Sequence, residues 1–107
     1  MDRLLSMQVF ERVVAEGSFA SAARALALSP PAVTRLVADL ERHLGARLLQ
    51  RSTRRLSLTE AGQAYLERVR GILQEIDEAH AATSASTREL SGLLRLHASP
   101  VLASQVV

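Results

Sequence analysis

"LALSPPAVTRLVADLERHLG", Leu26–Gly45, sets two consecutive prolines at the mouth of a stretch with helical periodicity. Ser29 offers a hydroxyl for capping. Pro30 falls on the first helical position, where a missing N–H has no intrahelical partner to lose and the fixed φ already suits the helix. Pro31 extends the same logic by one position, so the pair starts a helix sharply and fixes its direction relative to the chain before it. Val33, Leu36, Val37, Leu40 and Leu44 then recur at helical spacing, an apolar stripe that must face a core. The opposite face carries Pro31, Thr34, Arg35, Ala38 and Arg42. Small, hydroxyl and guanidinium groups near a helix N-terminus suit close approach to another surface, such as a DNA major groove. Gly45 is the expected left-handed stop.

Upstream, Arg3–Ala15 carries Leu4, Leu5, Val9, Phe10, Val13 and Val14 and reads as an amphipathic first helix ended by Gly17. Ser18 is an N-cap for a short second helix, "FASAARAL", whose Ala22 and Ala23 let a neighbour come close. Only "ALS" separates it from the proline-led helix. Two helices joined by so short a turn form a helix-turn-helix. Downstream, Leu48 and Leu49 before "RSTRR", then Leu56 and Leu58 around Ser57, predict two short strands with an Arg-bearing turn. No Asn-Gly marks that turn, so the register stays open.

From Thr59, a further N-cap, a long helix is expected to about Thr87 or Arg88. Tyr65, Val69, Ile72, Ile76, Ala79, Thr83 and Ser86 alternate four and three apart, with Leu66 and Leu73 widening the seam. Such a helix is on the order of 40 Å long, more than the preceding residues can cover. Self-association of the seam is therefore favoured over packing back on the domain. Ser91-Gly92 is read as a break, "LLRLHA" as a strand, and Ser99-Pro100 as the opening of another element.

Composition narrows the function classes. The chain has 107 residues, 48% apolar and 22% charged, enough for one modest core, and 3% aromatic, so that core is built from aliphatics on helices. It has no cysteine, which removes disulfides, Cys-ligated zinc and thiol catalysis and suits a reducing cytoplasm. No segment is long and apolar enough for a membrane span, and the amino terminus has no signal-peptide layout. Net charge is only +2, yet Arg42, Arg47, Arg51, Arg54 and Arg55 follow one another without an intervening acid. His43, His80 and His97 show no metal-ligand spacing. No phosphate loop, nucleophile elbow or carboxylate pair occurs, so no catalytic site, metal or cofactor is expected. Arg35 and Asp39 read as an ordinary i, i+4 pair.

The stretch "FERVVAEGSFASAARALALSPPAVTRLVADLERHLGARLLQRSTRRLSLTEAG" resembles the amino-terminal pattern of LysR-type transcriptional regulators, "F..V.e.gSf..AA..L..sq.avSr.i..LE..lG..LF.R..r...lT.aG". The likeness covers Met1 to about Arg88. It implies a mainly α fold: a winged helix-turn-helix of three helices and a β-hairpin over 1–58, a dimerising linker helix over 59–90, and the start of a truncated effector-binding domain over 91–107. By that resemblance and by facing, Pro30, Pro31, Thr34 and Arg35 contact DNA from the third helix. Ser18, Ser21 and Ser29 do so at helix starts, and Arg51, Thr53 and Arg54 from the wing. Tyr65, Val69, Ile72, Leu73, Ile76, Ala79 and Thr83 would form the homodimer seam, with a tetramer open for the full-length protein. The implied partner is double-stranded DNA with a partly palindromic operator, and a small-molecule effector would bind only the absent domain.

Three positions depart from the pattern. Pro30 replaces a frequent Gln, which removes an amide contact to a base. Thr34 replaces a commoner Ser and keeps the hydroxyl, and Leu49 replaces a frequent Phe. The rival from another class is a helical adaptor whose function is the seam itself; the arginine cluster and the short turn before Ser29 argue against it.

Overall fold

The computed structural model describes residues 1–51 and 55–97, with the backbone alone over 86–97. Its elements are α1 (Arg3–Glu16), α2 (Phe19–Leu26), α3 (Pro30–Leu44), β1 (Leu49–Arg51), β2 (Leu56–Leu58) and α4 (Glu60–His97). This is a winged helix-turn-helix followed by a long helix. The chain divides into two compact units, Met1–Gly71 and Ile72–Val107. The first therefore extends beyond residue 58 and includes the opening turns of α4.

Each of the first three helices starts on a side-chain cap. Asp2 Oδ1 accepts from Leu5 N at 3.0 Å, Ser18 Oγ from Ser21 N at 3.0 Å and Ser29 Oγ from Ala32 N at 3.2 Å. Pro30 and Pro31 occupy the first two positions of α3, as the sequence predicts. Gly45 closes α3 at φ 68°, with its own N–H donating to Arg42 O and Ala46 N–H donating to Glu41 O.

The turn between α2 and α3 holds a surprise. Ala27 takes the left-handed conformation, φ 56° and ψ 42°, with no glycine to ease it. Leu28 N–H reaches back to Ala23 O at 2.9 Å, and Leu28 packs against the core, so the surroundings hold a backbone that Ala alone disfavours.

Val9, Phe10, Val13, Ala22, Ala23, Val33, Val37, Leu40, Leu48, Leu49 and Leu66 form the core. The stripe expected on α3 is largely inside, but Leu44 is 40% exposed at the last position of the helix, and Leu4 of α1 is exposed as well. Ser6, which the apolar pattern passes over, is fully buried, and its Oγ has no hydrogen-bond partner among the described residues.

The wing is an antiparallel pair with Leu49 opposite Leu58, Gln50 opposite Ser57 and Arg51 opposite Leu56. That fixes the register left open above. Ser52, Thr53 and Arg54 lie outside the described residues.

At its start α4 is locked onto the wing. Thr59 N–H donates to Leu48 O at 3.0 Å, Thr59 Oγ1 donates to Arg47 O at 2.5 Å, and the same oxygen accepts from Gly62 N–H at 2.9 Å as a cap does. A Cβ on Gly62 would stand 2.0 Å from Leu48 O, so only glycine permits this approach.

One expectation for α4 is corrected and a second is narrowed. Residues 91–97 continue the helix through Ser91-Gly92 to His97, where a strand over "LLRLHA" was expected. A lone Gly costs a helix only about 1 kcal/mol, and the leucines around it propagate helix well. Residues 98–107 lie outside the described set, and with them Ser99-Pro100. Secondly, Val69 is 0% exposed within the single chain, and Tyr65 is half-buried with its ring 5.7 Å from that of Phe10. Those two members of the proposed dimer seam serve the domain's own core, because the first turns of α4 pack where aliphatic α1 needs cover. Further along, Ile72 is 40% exposed, Leu73 and Ile76 are half-buried, and Ala79 and Thr83 are exposed. No helix among the described residues is long and apolar enough to cross a membrane.

Candidate nucleic-acid interface

The outward face of α3 has the composition the sequence predicts. Pro30, Pro31, Thr34, Arg35 and Arg42 are exposed, and Ala38 is half-buried between them. Burying Val33, Val37 and Leu40 on one side forces these residues to the other.

The arginines around this face divide by the acids they meet. Asp39 pairs with Arg42, three residues on, and not with Arg35 as expected. The helix field explains the choice, since a cation is favoured toward the C-terminus. Glu41 draws Arg51 Nη2 to 2.7 Å and stands 3.9 Å from Arg47. Arg35 is left exposed with no ion pair among the described residues. It is the cation of α3 that remains available to an outside anion or acceptor.

Glu41 is the residue that sequence reasoning missed. The sequence reading gave it no role, yet it is buried. Its Oε2 accepts from Leu48 N at 2.8 Å and from Leu49 N at 3.2 Å, while Oε1 takes Arg51. Burial opposes its ionisation, but the two N–H donors and the Arg51 guanidinium outweigh that and hold its carboxyl below the usual range. The signal was in the spacing: Glu41 stands four residues after Val37, on the buried stripe. Arg51 also lies over the Phe19 ring at 5.8 Å from its centroid. Its position thus joins β1 to both helices of the helix-turn-helix.

The hydroxyls fall into two kinds. Ser18 and Ser29 accept from backbone N–H groups as caps, and Ser21 Oγ accepts from Arg24 Nη2 at 3.1 Å. Each keeps its own hydrogen to donate. Thr34 is the reverse: Oγ1 donates to Pro30 O at 3.1 Å. A carbonyl can only accept, so the Thr34 hydrogen is directed into the helix.

Residues 4–63 match the model of the bacterial regulatory helix-turn-helix proteins of the lysR family. The chain belongs to that family. A curated relative, an HTH-type transcriptional repressor of Pseudomonas aeruginosa, is 45% identical over the whole of this chain. The chain spans about a third of that relative's length, 34%, and 35% of the transcriptional activator AaeR of Escherichia coli, to which it is 40% identical. Among solved structures, the BenM_DBD/catB site 1 DNA complex superposes with a TM-score of 0.74 at 30% identity, covering 79% of this chain and 93% of that one.

Family membership gives the Glu41 network its place in the pattern quoted above. Glu41 is the acid of "LE" and Arg51 the arginine of "LF.R", so in this chain two positions of the pattern form an ion pair between α3 and the wing. Thr59 and Gly62 are the "T" and "G" of its end, whose roles are the cap and the close approach to Leu48 O.

Proposed function

We propose that this chain is the DNA-binding and dimerising part of a cytoplasmic transcription regulator and has no enzymatic role. In that reading two copies place their α3 helices in successive major grooves of a partly palindromic site. Arg35 and Thr34, with the rings of Pro30 and Pro31, meet base edges and phosphates. Ser18, Ser21 and Ser29 donate to phosphates, and Arg51, Thr53 and Arg54 serve from the wing. Ile72, Leu73, Ile76, Ala79 and Thr83 form the seam between copies. A small-molecule effector and any tetramer contact belong to the rest of a longer protein, beginning within 91–107.

The observation that carries this reading is Arg35, an exposed arginine beside Thr34 on the outward face of α3, with no acid partner among the described residues. DNA in the complex of BenM_DBD described above supports it. The test is a fluorescence titration against a duplex selected from a random pool and against its scrambled version, at several salt concentrations. Arg35→Ala and Thr34→Ala are expected to weaken the selected duplex more than the scrambled one. Equal losses on both would remove them from sequence reading, and salt-independent or absent binding by the wild type would end the proposal.

A further inference from the structure

We infer that Thr34 reads a base as a hydrogen-bond acceptor, so that its target is an exocyclic amino group, adenine N6 or cytosine N4, in the major groove. This deepens the DNA-binding reading and rests on it. The observation is the bond from Thr34 Oγ1 to Pro30 O. Since the carbonyl supplies no hydrogen, the single hydroxyl hydrogen of Thr34 is committed inside the helix, and only oxygen lone pairs and the methyl face outward.

Its neighbours sharpen the assignment. Pro30 and Pro31, four and three residues earlier on the same face, have neither N–H nor side-chain polar atom, and both are exposed. Arg35 is a donor without acceptor capacity. Thr34 is therefore the side-chain acceptor of the first two turns of this face, and Arg35 the donor.

The serines at the helix starts have the opposite polarity. Ser18 and Ser29 accept from the backbone N–H groups of Ser21 and Ala32, and Ser21 accepts from Arg24, which leaves hydrogens for acceptors such as phosphate oxygens. Among base edges in the major groove, guanine O6 and N7 and thymine O4 are acceptors and call for a donor, which Arg35 supplies. Adenine N6 and cytosine N4 carry hydrogens and call for an acceptor. An A·T pair fits Thr34 better than G·C, since its thymine methyl adds an apolar contact for the Thr34 methyl and the proline rings.

The experiment scans the half-site of the pool-selected duplex with single-atom analogues, using wild type and Thr34→Val, which keeps the shape and the methyl and removes the oxygen. Purine in place of adenine, or pyrimidin-2-one in place of cytosine, deletes one amino group at a time. At one position the deletion is expected to weaken wild type by roughly five- to tenfold and to leave Thr34→Val unchanged. The mapped contact moves with chemistry and not with stability, so thermal unfolding of the variant serves only to show it is folded. Two results would overturn the assignment. One is a scan in which no amino deletion is coupled to Thr34. The other is coupling of Thr34→Val to 7-deazapurine substitution, which deletes an acceptor and would mean that the hydroxyl donates. A wild type that selects no sequence from the pool refutes the DNA-binding reading itself, a different outcome from either.

Discussion

Glu41 should be as costly to truncate as a buried leucine of α3, although it is a charged residue outside the apolar core. Glu41→Ala leaves the N–H groups of Leu48 and Leu49 without their acceptor and Arg51 without its carboxylate. An unsatisfied buried donor costs about 1–3 kcal/mol, and removing one member of a buried charged pair costs about 3–5 kcal/mol. Because Arg51 is partly exposed and can recover water, the expected loss is about 3–4 kcal/mol. Glu41→Gln keeps one accepting oxygen and should lose about 1–2 kcal/mol. Urea unfolding followed by the helical circular dichroism signal measures both. The sign with pH follows from a carboxyl held below its ordinary value of 4.5. Its stabilisation is complete above that value in the unfolded chain and is lost as pH falls through the lower folded value. Wild type should thus lose stability in acid more steeply than Glu41→Gln. A loss under about 1 kcal/mol for Glu41→Ala at pH 7, or identical acid limbs for wild type and Glu41→Gln, would refute the reasoning.

The glycines of α4 give opposite signs for one chemical change. Gly62→Ala drives a Cβ into Leu48 O and should cost about 2–3 kcal/mol, whereas Gly71→Ala meets nothing within 4 Å and should gain about 1 kcal/mol from helix propensity; thermal melting of the two variants side by side checks the contrast. Ala27→Gly relieves the left-handed Cβ in the α2–α3 turn, partly offset by the freer unfolded chain, for a net gain of about 0.5 kcal/mol in urea unfolding; a loss would show that Ala27 is not strained. Ser6→Ala removes a buried hydroxyl without a partner and should raise the melting temperature by an amount equivalent to about 1 kcal/mol, while an unchanged or lower value would mean the hydroxyl finds a partner.

What the sequence made legible was whatever acts locally. Ser18, Ser29 and Gly45 set helix ends through bonds to residues three or four away and Pro30 through its fixed φ, and all four appear where they were placed. Periodicity likewise sorted Val33, Val37 and Leu40 from Thr34 and Arg35. What escaped depends on contacts between elements distant in the chain. Tyr65 and Val69 fit a partner's seam and the domain's own core equally well by spacing, and only the position of α1 decides between them. The left-handed Ala27 has no sequence mark, because the strain is tolerated by the packing of Leu28. Glu41 was hidden by its charge: its spacing from Val37 placed it inside, but a buried carboxylate makes sense only once Leu48, Leu49 and Arg51 are known to lie beside it.

The same carboxylate also shapes how a nucleic acid would be met. An acid-free run from Arg42 to Arg55 reads as one basic surface, but Asp39 and Glu41 engage Arg42, Arg47 and Arg51 from the C-terminal half of α3. Cationic capacity is thereby drawn toward the protein at that end and left at Arg35 near the other. Arg51, held between Glu41 and the Phe19 ring, sets the base of the wing against both α2 and α3. The start of the wing is thereby held at a fixed place relative to Thr34 and Arg35. A helix and a wing joined by an ion pair with one buried partner keep one spacing, and spacing is what a rigid reader of two adjacent grooves would require.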